Sequence, residues 1–237
     1  RRIQDIIRRQ GTQINRKKVQ RLMRKMSIHG VCPKPNLSIA KREHQKYPYI
    51  ARDLPIVRIN QVWSTDITYI KTKFGMIYLV AVIDWHSRIV LSWNMSNFMG
   101  EEFCVDALEK ALQKGTPDIF NTDQGSQFTG YAFISVVIKN GIRPSMDGKG
   151  RATDNAPIER FRRSVKWEEV YLHEPQSYLD LQTMVGNYIK YYNFERPHQS
   201  IDYKTPSEVH FDLEKKHFDF EGAPIYTEKE LKYVTTW

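Results

Sequence analysis

A chain of 237 residues with 41% hydrophobic content can hold one α/β domain with a packed core and a small appendage. No apolar run approaches a membrane span and no signal-peptide pattern opens the chain, so composition points away from a membrane partner. Of the net charge of +9, residues 1–58 carry 16 Lys and Arg against Asp5, Glu43 and Asp53, a net of +13 that marks the first quarter as a polyanion contact.

The first residue is not Met, and the chain opens inside a basic helical pattern, which reads as a trimmed chain or a piece of a longer protein. Residues 1–10 and about 15–26 predict two helices separated by Gly11-Thr12. In the second, Val19, Leu22, Met23 and Met26 form an apolar stripe, and Arg16, Lys17, Lys18, Arg21, Arg24 and Lys25 mostly point away from it. Two short helices with one basic face suit a helix-turn-helix end at residues 1–30, its second helix reaching a DNA groove. A solvated amphipathic helix fits those residues about equally well. Residues 31–58, with Pro33, Pro35, Pro48 and Pro55, read as a semi-extended basic linker. Cys32 and Cys104 have no metal-ligand spacing and no disulfide framework, which fits a reducing cytoplasm.

From Asn60 the pattern becomes strand-like. Residues 61–70, 75–84 and 88–96 predict three strands, with Asp84-Trp-His-Ser-Arg88 as a hairpin turn and His86 as a turn histidine bonded to backbone. Residues 100–114 predict an amphipathic helix stopped by Gly115 and Pro117. A short strand runs to Asp123, Thr129–Lys139 predicts a helix ended by Asn140-Gly141, and Ile142–Met146 a fifth strand. The loop Asp147-Gly-Lys-Gly-Arg151 places Lys149 and Arg151 directly before the next helix. That helix starts at Asp154-Asn155, read as its side-chain cap, and Pro157. It sets Glu159, Arg163 and Lys166 on one face and turns Ile158, Phe161 and Val165 inward. Tyr178, Leu181, Val185, Tyr188 and Tyr192 form a helix seam. Thr205-Pro-Ser-Glu208 resembles a capping box opening a last helix, and residues 211–237 read as a β appendage or an extended tail.

Three carboxylates stand out. Asp66 sits inside the strand-like Val62–Ile70, Asp123 at a strand end before a Gly-containing turn, and Glu159 in a first helical turn, with 35 residues between it and Asp123. Each alone reads as turn, ion-pair or helix-start chemistry. Together, Trp63-Ser-Thr-Asp66-Ile-Thr-Tyr, Thr122-Asp123-Gln-Gly-Ser-Gln-Phe, Asp154-Asn-Ala-Pro-Ile-Glu159-Arg-Phe with Lys166, and Tyr192-Asn-Phe-Glu-Arg-Pro-His198 resemble the D-D-35-E core of insertion-sequence transposases and retroviral-type integrases, in the bacterial second-frame branch. The resemblance spans roughly residues 1–210. Retroviral integrases open with a His-Cys zinc module that this sequence lacks.

The resemblance implies an α/β, ribonuclease H-like fold: a mixed five-stranded sheet flanked by helices at 59–210, preceded by a small helical DNA-binding segment. It implies a transposase that binds terminal inverted repeats and performs metal-dependent strand cleavage and transfer. Asp66, Asp123 and Glu159 would be catalytic and hold two Mg²⁺ ions, with Mn²⁺ as substitute, since such ions about 3.5–4 Å apart stabilise both oxygens of an in-line displacement. Lys166 would hold a phosphate. Asn155, Arg160, Arg163, Lys149, Arg151, Arg16, Lys17, Arg21 and Arg24 are further DNA-contact candidates. Arg162 stands where the family more often has an aromatic or polar residue, and a phosphate contact there is possible. The implied partner is double-stranded DNA, both transposon ends and target, bound by a homo-oligomer that joins two ends in the cytoplasm at the nucleoid. A DNA-binding regulator with a silent core and a ribonuclease of the same fold are the competing readings.

Overall fold

The structure is a computed structural model that describes residues 2–26, 46–148 and 155–213. The chain divides into two compact units, Arg1–Ala40 and Lys41–Trp237.

The first unit holds α1 (Arg2–Arg9) and α2 (Arg16–Lys25). Gly11, with φ of +83°, ends α1, and the amides of Gly11 and Thr12 return to the carbonyls of Arg8 and Ile7 at 3.0 and 3.2 Å. A left-handed residue after the last turn closes a helix this way, and glycine adopts it without a Cβ clash. Asn15 caps α2, accepting from the Lys17 amide at 3.1 Å. Ile14 and Val19 are buried, whereas Leu22 and Met26 of the expected apolar stripe are exposed. Arg16, Lys17, Arg21 and Arg24 all face solvent.

The second unit is built on a five-stranded sheet of order β3-β2-β1-β4-β5. β1 (Val62–Thr72), β2 (Gly75–Asp84) and β3 (Val90–Ser96) are antiparallel neighbours, and β4 (Ile119–Thr122) and β5 (Arg143–Met146) continue parallel to β1. Period-two alternation assigns the two faces. On β2, Ile77, Leu79, Ala81 and Ile83 join one core, while Val80 and Val82 join the other. The first core takes Ile158 and Phe161 of α6 (Ala156–Ser164) and the seam of α8 (Tyr178–Phe194). The second takes Phe103 and Leu108 of α3 (Glu102–Leu112) and Phe133 of α5 (Tyr131–Lys139). Each such side chain contributes about 1.5–3 kcal/mol by burial.

Departures from sequence expectation share a cause, which is contact across the chain. The helix expected over 129–139 is broken at Gly130 into α4 (Ser126–Thr129) and α5. A Cβ on Gly130 would overlap the Glu101 carboxylate, whose Oε1 caps α5 by accepting from the Phe133 amide at 2.9 Å. The expected linker is partly docked: Ala51 is buried, Leu54 and Ile56 pack on the first core, and the Ile50 amide donates to Ser145 Oγ at 3.2 Å. At the hairpin turn Asp84 is the organiser, accepting from Ser87 N and Oγ at 2.7 and 2.8 Å and from Asn60 N at 2.8 Å.

α6 runs directly into a π-helical turn, Val165–Val170, and then α7 (Tyr171–His173). Asn193, near the end of α8, is buried and pairs with both backbone groups of Val90 at 2.9 and 3.0 Å, fastening α8 to the edge strand. The capping box holds: Thr205 and Glu208 satisfy each other's amides at the start of α9 (Pro206–His210). Of the expected appendage at 211–237, residues 214–237 lie outside the described residues.

Candidate active site

Strand register assembles the site. β1 and β4 pair Val62 with Ile119 and Ser64 with Asn121; carried two residues further, the register sets Asp123 level with Asp66. β4 and β5 pair Thr122 with Met146, so Asp147 falls next in the same row. Adjacent strands lie about 4.8 Å apart, which brings acidic groups distant in sequence side by side. Asp123 forms an Asx turn, its Oδ1 accepting from the Gly125 amide at 2.9 Å. Asp147 is buried; its carboxylate accepts from Asn121 Nδ2 at 2.6 Å and its carbonyl from Gln124 Nε2 at 2.9 Å.

α6 supplies the rest. Ile158 and Phe161, at 0% and 1% exposure, fix its inner face. Glu159 and Arg162, one turn apart, then line a cavity of about 450 Å³ with Asp66, Asp123, Asp147 and Asn155. Arg162 Nη1 donates to Asp66 Oδ2 and, at 3.1 Å, to Glu159 Oε1. The side chains of Asp66, Arg162 and Glu159 are 14%, 22% and 40% exposed, a gradient from sheet to open mouth. Among the described residues no group of three or more His, Cys, Asp or Glu side chains is arranged to hold a metal ion as it stands. The Arg162 guanidinium reaches between two of the three carboxylates.

Acidic side chains outnumber basic ones in the cavity lining. Burial raises the Asp66 carboxyl to about 6; Arg162 pulls it down, and Asp123 and Glu159 push it up. Lys166, at the start of the π-helical turn, is half-buried and belongs to the same field. Burial and then Arg162 lower its ammonium, while Glu159 and Asp66 raise it.

The other sequence candidates are placed as follows. Asn155 stands at the N-cap of α6, but its side chain makes no capping bond: it is turned inward and donates to the Thr65 carbonyl at 3.5 Å. It ties α6 to the strand that carries Asp66, and Asp154 lies outside the described residues. Arg163 is exposed and does not line the cavity; the guanidinium that enters it is that of Arg162, at i+3 from Glu159. Arg160 lines a separate cavity of about 280 Å³ with Arg88, Tyr192 and His198. Lys149 and Arg151 lie outside the described residues. Asp147 was missed by motif reading. Its signal was its position one residue past β5, beside the strand that ends at Thr122.

Two family models described as Integrase core domain match residues 57–152 and 140–206, and one described as HTH-like domain matches residues 1–36. The transposase for insertion sequence element IS904 of Lactococcus lactis is 33% identical over 217 residues, covering 87% of this chain and 85% of the relative. The putative transposase InsK for IS150 of Escherichia coli is 32% identical, covering 88% and 75%. Among solved structures, the HTLV-2 integrase catalytic core domain in complex with magnesium superposes with a TM-score of 0.53 at 21% identity, over 64% of this chain and 96% of that one. A chain of the simian T-cell lymphotropic virus intasome gives 0.57 at 18% identity, over 79% and 64%. The sheet order and flanking helices are thus the ribonuclease H-like fold of integrase cores. With an HTH-like segment ahead of an integrase core, and 33% identity to an insertion-sequence transposase along most of both chains, the protein belongs to the transposases of insertion sequences.

Proposed function

We propose that this transposase binds the terminal inverted repeats of its element through the basic helices within residues 1–30, and cleaves and joins DNA strands at Asp66, Asp123 and Glu159. The observation that carries the reading is the meeting of these three carboxylates, from β1, the β4 turn and α6, in one open cavity. The donor set fits a hard divalent cation: oxygen donors, an excess of negative charge, and a positive guanidinium drawn between two of them. Mg²⁺ is the expected ion, two per site, with Mn²⁺ as substitute; Asp66 would be shared, with Asp123 and Glu159 holding one each. Bound there, such ions stabilise charge on the attacking and leaving oxygens of an in-line displacement at phosphorus.

The chain's own contribution is position and charge. Ile158 and Phe161 hold α6 so that Glu159 stands over the row of aspartates. Lys166 faces the same cluster and holds a phosphate of the bound strand beside the scissile bond. Arg160 and Arg163, exposed on α6, and Lys149 and Arg151 just before it, add phosphate contacts flanking the site. Arg16, Lys17, Arg21 and Arg24 on the free face of α2 supply those of the end-binding segment. Joining two ends calls for a homo-oligomer on two DNA duplexes, in the cytoplasm at the nucleoid. Among the described residues no helix is long and apolar enough to cross a membrane.

The test is strand cleavage and joining on a duplex carrying the element's end, with Mg²⁺ or Mn²⁺. Asp66→Asn, Asp123→Asn and Glu159→Gln are each expected to lower the rate by more than about 100-fold, beyond the loss typical of a residue that merely supports a ligand. Full activity in all three variants would overturn the assignment.

A further inference from the structure

We propose that Arg162 is a built-in counter-cation that occupies the Asp66–Glu159 pair in the DNA-free protein and is displaced when divalent ions and a DNA strand enter together. The inference rests on the reading that these carboxylates are the metal ligands, and it assigns a role to a side chain that this reading does not need.

The contacts carry it. One nitrogen, Nη1, donates to both Asp66 Oδ2 and Glu159 Oε1, the oxygens that a cation between β1 and α6 must take. An oxygen in contact with that nitrogen has no room for an ion on the same side, so guanidinium and metal exclude each other. The pose is also poor for the arginine itself. Among the described residues its Nε is buried with no hydrogen-bond partner, and an unpaired buried donor destabilises the pose that leaves it so. A well-seated structural arginine uses its planar fork, as Arg196 does with Glu168, through Nε at 2.8 Å and Nη2 at 2.7 Å. Arg162 makes its contacts through a single nitrogen.

Charge supplies the trigger. The four carboxylates that line the cavity outnumber its one guanidinium, an excess of negative charge that attracts a divalent ion but seats it against a fixed positive group. Arginine stays protonated, so it cannot yield by losing a proton; it yields by rotating. From the outer half of α6 it turns toward the cavity mouth, where a strand bound over the carboxylates presents phosphate oxygens matched to the guanidinium fork. Metal and DNA then strengthen each other's binding, because each removes the same obstacle. The consequence is that free metal is held weakly by the DNA-free protein.

The experiment is Mn²⁺ titration of the full chain by calorimetry, with and without an end duplex, in wild type, Arg162→Gln, Arg162→Lys and Asp66→Asn. Without DNA, Arg162→Gln is expected to bind Mn²⁺ about tenfold more tightly than wild type, within the usual range for coupled sites, and to lose most of the gain that DNA confers. Arg162→Lys should fall between the two. Equal or weaker binding by Arg162→Gln, with Asp66→Asn abolishing it, means a static ion pair and overturns the proposal while the carboxylate site stands. Binding that survives Asp66→Asn unchanged removes the carboxylate reading and the proposal with it. Should Arg162→Gln not fold, the arginine side-chain ¹⁵N–¹H signals of the wild type decide. Metal and DNA must shift the Arg162 signal, and an unmoved signal at saturation overturns the idea.

Discussion

Two charge clusters sit on the helical run that begins with α6, and they are built on opposite plans. At the π-helical turn, Glu168 takes two bonds from Arg196 and one from the Tyr188 hydroxyl at 2.8 Å. Burial alone would raise its carboxyl, but those donors hold it below the usual range. Upstream on the same run, Asp66 and Glu159 share the Arg162 guanidinium beside Asp123, and Asp66 is pushed up to about 6, by burial first. The first cluster is a closed account of donors and acceptors and fixes the run to α8. The second is left short of positive charge, which is what the cation site proposed above requires. A perturbed carboxyl in an open cleft is the mark of a working site, whereas a satisfied one marks a joint.

Cutting the shared support is the largest test of that contrast. Phe161 stacks edge-on against Tyr192 with centroids 5.1 Å apart and is 1% exposed. Phe161→Ala should cost about 3–5 kcal/mol in chemical denaturation and abolish strand joining as well, because both clusters hang on that face. Mutating one carboxylate from each cluster then sharpens it. Glu168→Gln should lower stability by about 1 kcal/mol, since it weakens a bidentate but partly exposed pair. Asp66→Asn, in chelator at pH 8, should raise stability by about 1 kcal/mol, since it removes a charge the fold disfavours. Thermal melts of the two variants moving in the same direction would erase the distinction.

A smaller effect is a pH slope on the joint side. His198 is pushed down to about 4 from 6.5, by burial first and then by Arg196 and Arg88. Its folded value lies below its unfolded one, so the folded state binds fewer protons between them. Its contribution is therefore full above pH 6.5 and lost as pH falls toward 4. Denaturation curves from pH 6.5 to 5 should show wild type losing about 1 kcal/mol more than His198→Gln. Parallel curves would show that His198 takes up its proton equally in both states.

Much of the architecture was legible because its signals are local. The strand at 75–84, the Asp84–Arg88 turn, the Gly11 stop and the Thr205–Glu208 capping box each depend on residues within a few positions of one another. The three carboxylates were legible as a motif, because their spacing and flanks are carried in the chain itself. What the sequence determined by itself was therefore the order of elements and the residue types at the site. Only the tertiary structure decided which groups meet: Asp147 in the row with Asp123, Glu101 as the cap of α5, Ala51, Leu54 and Ile56 on the core, and Arg162 rather than Arg163 between the acids. Strand register and helix rotation set those pairings across as many as 96 residues of chain, and neither quantity is written in any short window of sequence.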